Sequence, residues 1–145
     1  MSGHHSFDHT VHEGNIWLGK IAERLHFDDH HHAYSALRAT LHVLRDRLQP
    51  QSAVHLSAQM PMVVRGLFFE GWKMAATPSD DDTVEAFCGH VTDKLPPKFP
   101  MDGRTVTEGV FDVLWSELDM GQTAKIIDQL PTHLHILWPA AAKRG

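Results

Sequence analysis

Residues 15–69 can be laid over residues 85–139 at a constant offset of 70, without a gap. Gly19-Lys20-Ile21-Ala22-Glu23-Arg24-Leu25 meets Gly89-His90-Val91-Thr92-Asp93-Lys94-Leu95, with glycine and leucine identical and the apolar, acidic and basic positions kept in type. Further along, Val43, Leu44, Leu48, Gln59 and Pro61 meet Val113, Leu114, Leu118, Gln129 and Pro131. A register held through loops as well as helices means one structural unit used twice. Every matched position is one that a core, a cap or a turn requires, and no matched pair makes a catalytic couple. The repeat therefore constrains architecture and leaves chemistry open.

The 145 residues suit one compact domain over 1–145, since each half alone would bury too little apolar surface. A single cysteine, Cys88, cannot form an internal disulfide. The polar, His-rich start lacks the continuous apolar stretch of a secretory signal, and no apolar run approaches the roughly 20 residues that span a bilayer. The expected location is the cytoplasm, without membrane attachment. A net charge of −5 argues against nucleic acid, whose phosphates call for a basic field. Ten of the 13 histidines precede residue 56, so the charge of the first half depends on pH between roughly 5 and 8.

Apolar residues return at helical spacing almost throughout, and no stretch alternates with period two for long. The first helix is expected from about Asp8 to Leu25, with Val11, Leu18, Ile21 and Leu25 as its buried stripe and Trp17 beside it. Asp28 or Asp29 caps a second, buried along Tyr34, Leu37, Leu41, Leu44 and Leu48. Pro50 opens a short third helix to about Gln59, and Pro61 opens a fourth from Met62 to Trp72. After a linker at 73–79, Asp80, Asp81 and Asp82 start a fifth helix that ends near Leu95. A sixth begins near Arg104, Asp119 caps a seventh, and Pro131 opens an eighth. The expected fold is all-α: two pseudo-symmetric four-helix repeats, about 8–72 and 80–139, sharing one core.

Two features could carry chemistry. His5, His9 and His12 fall on one helical face with Glu13 adjacent, a plausible weak or adventitious zinc or nickel site, against which stands a solvated chain terminus. Arg65-Gly66-Leu67-Phe68-Phe69-Glu70-Gly71-Trp72 is the densest aromatic segment. Arg65, Phe68, Phe69, Glu70 and Trp72 form either a ligand or partner patch or a packed seam between the halves. On the second helix, His31, Arg38, His42 and Arg45 share a polar face that reads as solvated charge or as an anion site. Cys88 stands where the first unit has Leu18, which suits a packed thiol better than a nucleophile. His12-Glu13 begins like a zinc-protease helix, but Ile16 occupies the place of the second histidine. No phosphate-binding glycine loop and no nucleophile elbow is present in the sequence.

Beyond the repeat and this segment, the chain resembles a bacterial family known as domain of unknown function 2267, from about Thr10 to Pro139. The marks are Trp17-Leu18, Ala22-Glu23-Arg24-Leu25, Ala36-Leu37-Arg38-Ala39-Thr40-Leu41, Leu44-Arg45-Asp46-Arg47-Leu48, Gln59-Met60-Pro61 and the Arg65–Trp72 run. Val113-Leu114-Trp115, Gln129-Leu130-Pro131 and Leu137-Trp138-Pro139 are similar in the second half. Where the family pattern often carries two tyrosines this chain has Phe68 and Phe69, which removes two hydroxyls. The resemblance implies an all-helical bacterial protein and carries no catalytic residue or cofactor with it. The functional expectation is a non-catalytic module binding a protein partner, a second copy or a small apolar ligand. A histidine-based metal-binding protein and an enzyme using Glu70 with a histidine between the repeats are the alternatives.

Overall fold

The computed structural model describes residues 2–142, with side chains described from Phe7 onward. Seven α-helices follow one another: α1 Ser2–Leu25, α2 His30–Arg47, α3 Pro50–Ser57, α4 Met62–Phe69, α5 Val84–Lys94, α6 Gly103–Glu117 and α7 Met120–Gln129. Three short 3-10 segments, Met74–Ala76, Thr132–Leu137 and Ala140–Ala142, complete them. The fold is all-α, with no strand among the described residues.

Capping explains most of the helix starts. Asp29 accepts from the His32 amide at 3.0 Å, and Asp102 from that of Thr105 at 3.1 Å. Asp119 takes the amides of both Gly121 and Gln122, as its place ahead of the seventh helix predicts. At α5 the cap is Thr83, whose hydroxyl accepts from the Ala86 amide at 3.0 Å; Asp80, Asp81 and Asp82 lie before it. Two of those acids reach outward instead. Asp81 bonds His90 Nδ1 at 2.9 Å, and Asp82 pairs with Arg47 on α2 at 2.7 Å.

Other boundaries also differ from the sequence expectation. Backbone α1 begins at Ser2 rather than near Asp8, and α4 ends at Phe69 rather than Trp72. The eighth helix is the 3-10 segment Thr132–Leu137. Its buried residues, Leu134 and Leu137, are three apart, and three residues per turn puts them on one side.

α1 packs on α2 and α6, and α5 packs on α6 and α2, while α2 and α6 also meet each other. Buried apolar side chains from all seven helices form one cluster, in which Ile21, Leu41, Leu56, Phe68, Phe87, Phe111 and Leu114 have no exposed surface. Small residues allow the tight crossings. A Cβ on Gly109 would collide with Leu25 of α1, and one on Gly103 with the Cys88 carbonyl and Thr92 hydroxyl of α5. The two matched glutamines reach across between α3 and α7. Gln59 Oε1 accepts from the Asp119 amide at 2.9 Å, and Gln129 Oε1 accepts from the Ser52 hydroxyl.

Candidate functional site

The polar stripe of α2 divides: His31 is exposed and Arg38 partly so, while His42 and Arg45 turn inward and hold the end of α4. His42 and Arg45 are 3% exposed. Arg45 Nη1 donates to the carbonyls of Phe68 at 3.0 Å and Glu70 at 2.7 Å, while its Nε donates to Asp46 Oδ1 at 2.8 Å. His42 Nε2 lies 2.7 Å from the Leu67 carbonyl. A carbonyl oxygen can only accept, so this nitrogen carries the proton. These donors satisfy carbonyls that a helix end leaves unpaired, and the chain turns off at Gly71, whose φ of 70° is the left-handed value glycine tolerates. Nearer the surface, Arg38 Nε donates to Glu70 Oε1 at 2.8 Å.

Burial pushes the His42 imidazole below its ordinary value of 6.5, helped by the nearby cations Arg45, Arg38 and Lys94, while the Leu67 carbonyl works against it. The sign for stability follows. As pH falls through about 6.5 the unfolded chain takes up a proton that the folded chain resists, so stability is lost on acidification. His42 is expected to titrate below 6.5 by NMR, and His42→Gln, which keeps an N–H for Leu67, to flatten the decline in unfolding free energy below that pH. Normal titration with an unchanged pH slope would contradict the assignment.

The aromatic run divides between two faces of α4. Phe68 is fully buried, edge-on to Phe69 with ring centroids 5.2 Å apart, and Phe69 lies 5.1 Å from Trp72. These three rings belong to or pack against the core. Arg65 caps α3 instead, its guanidinium donating to the carbonyls of Ser57 and Met60, each at 3.0 Å. Of the five residues singled out in the segment, only Glu70 reaches the main concave feature of this face.

That feature is an open groove of about 670 Å³ between α1, α2 and α4. Val11, Gly14, Asn15 and Leu18 line it from α1, Tyr34 and Leu37 from α2, and Val63, Val64, Gly66 and Leu67 from α4, with Glu70 just past its end. α1 and α4 close its base, where a Cβ on Gly14 would stand 2.8 Å from Val63 Cγ1. Val11 and Tyr34, expected in the buried stripes, are 58% and 41% exposed here. Phe7, one turn before Val11, is 75% exposed. A surplus of apolar positions on the α1 and α2 stripes was the sequence signal for this groove. A more polar hollow between α1 and α6 includes Lys20, Arg24 and Asp112, each of which is engaged in an ion pair. Lys20 meets Glu117 at 2.7 Å and Arg24 meets Asp112 at 2.6 Å.

The histidines are dispersed. His5 lies outside the residues with described side chains; His9 meets Glu13 at 3.3 Å, and His12 is exposed. Among the described residues no three His, Cys, Asp or Glu side chains gather as metal ligands would. Cys88 is buried in the core, and burial raises its thiol above the ordinary range, which keeps it protonated. No helix among the described residues is long and apolar enough to cross a membrane.

An all-helical chain with an open apolar groove between three of its helices is the class these features define. The model of the family described as "Uncharacterized conserved protein (DUF2267)" matches residues 14–137, and the chain belongs to that family. Comparison with curated proteins finds no match.

Proposed function

We propose that this chain is a non-catalytic binding module whose site is the groove between α1, α2 and α4, and that its occupant is a small apolar molecule. The observation that carries this reading is Gly66. Glycine inside a helix costs about 1 kcal/mol relative to alanine. Packing does not demand it here, because a Cβ at Gly66 would meet nothing within 4 Å. What the missing side chain provides is groove volume. The size falls in the usual range for small-molecule sites, and the lining is mostly aliphatic with a few polar groups. One carboxylate and no imidazole or thiol line it, which favours binding over turnover.

Two pseudo-symmetric units within one domain remain our reading of the architecture. The pairing of α1 with α6 is answered by that of α5 with α2, and the reciprocal glutamine contacts support the same axis. At the offset of 70, Ile136 stands for Gly66, Arg104 for Tyr34 and His133 for Val63. The groove then belongs to the first unit alone.

Diphenylhexatriene, a neutral apolar fluorophore, tests the site. It is expected to bind the wild-type chain saturably at one equivalent, and Gly66→Leu to weaken it by about tenfold or more. Gly66→Ala is the folding control, expected to raise the unfolding free energy by about 0.5–1 kcal/mol. Equal binding by wild type and Gly66→Leu, or no binding to the wild type, would overturn the proposal.

A further inference from the structure

We infer that the groove selects amphiphiles with a protonated amine head over acids and alcohols of equal chain length; this rests on the groove being the binding site. Its polar lining groups are Asn15, Tyr34 and Glu70, and Glu70 is the only one charged at neutral pH. The carboxylate is half exposed, so a ligand head can reach it. Arg38 Nε occupies Oε1 at 2.8 Å, and Oε2 accepts no hydrogen bond among the described residues. Glu70 also follows directly on the C-terminal end of α4, whose carbonyls are already paired by His42 and Arg45, so the free acceptor there is the Glu70 side chain. Arg45 reaches the same end from α2, but it is spent on backbone carbonyls and on Asp46, not on this carboxylate.

The consequences for a ligand head differ by charge. An ammonium can donate to Glu70 Oε2 in a charge-assisted bond while its chain lies along the apolar lining of Val11, Leu18 and Val63. A carboxylate head placed there would face the Glu70 carboxylate, whose neighbouring cation Arg38 is already committed to Glu70 Oε1 and lies outside the lining, leaving the Asn15 amide and Tyr34 hydroxyl as the lining donors. An alcohol gains a neutral bond and no ion pair. The order amine, alcohol, acid follows from this lining.

Calorimetric titration with decylamine, decanol and decanoate below their micelle concentrations tests the order. Decylamine is expected to bind the wild-type chain about tenfold more tightly than decanol, and decanoate more weakly than either. Glu70→Gln keeps an acceptor for Arg38 and removes the charge; it should bring decylamine to within about twofold of decanol while leaving decanol unchanged. Gly66→Leu should weaken all three. Equal affinities in the wild type, or an amine preference that survives Glu70→Gln, would overturn the head-group selection while leaving the groove as the site. Binding of all three unaffected by Gly66→Leu would overturn the site itself.

Discussion

Arg45→Met is expected to lower the unfolding free energy by about 3 kcal/mol in urea or guanidinium denaturation. The guanidinium, with 4% of its side chain exposed, donates to Phe68 O, Glu70 O and Asp46 Oδ1. Methionine preserves the length of the stem and removes every donor. Two carbonyls at the end of α4 then lose their charged partner, and Asp46 loses its counter-ion at a half-buried site. The end of α4 also carries Glu70, so the same substitution should weaken diphenylhexatriene binding through a looser groove wall. Arg45→Lys should recover only part of the loss, because a single ammonium cannot span three acceptors as the planar fork does. A loss below about 1 kcal/mol for Arg45→Met would mean that water replaces the guanidinium at these carbonyls.

The same contacts show why part of the molecule was legible in sequence and part was not. Helix starts governed by a local cap, such as Asp29 and Asp119, are decided within three or four residues, and the sequence placed them well. The end of α4 is decided by His42 and Arg45, more than 20 residues earlier in the chain. On a helical wheel those two look like any polar stripe, since the pattern does not say whether water or a distant carbonyl is the partner. Apolar stripes have the converse ambiguity. Val11 and Tyr34 point along the same faces as Leu18 and Leu37, yet no later element among the described residues covers them, so a pattern read as core opens into the groove. Glu70 was identified because a carboxylate beside an aromatic run stands out. Gly66 was not, because a glycine's meaning lies in the space around it, and only coordinates show that space to be empty.

Phe68→Ala separates the core role of the aromatic run from a binding role. Phe68 is fully buried and edge-on to Phe69, and truncation to alanine at such a site removes the transfer energy of the ring and leaves a cavity. The expected loss is about 4 kcal/mol, which for a chain of this size lowers the melting temperature by roughly 10 °C or more. Gly66 and Glu70 line the groove, whereas Phe68 is fully buried and is not part of its lining. Well below its melting point the variant should therefore bind diphenylhexatriene within about twofold of wild type. A residue that touched the ligand would show the opposite balance, with binding lost and stability nearly kept. Measured together, melting and probe affinity assign the ring to one role or the other. Loss of binding with a melting temperature within a few degrees of wild type would move the site from the α1 side of α4 to its buried face.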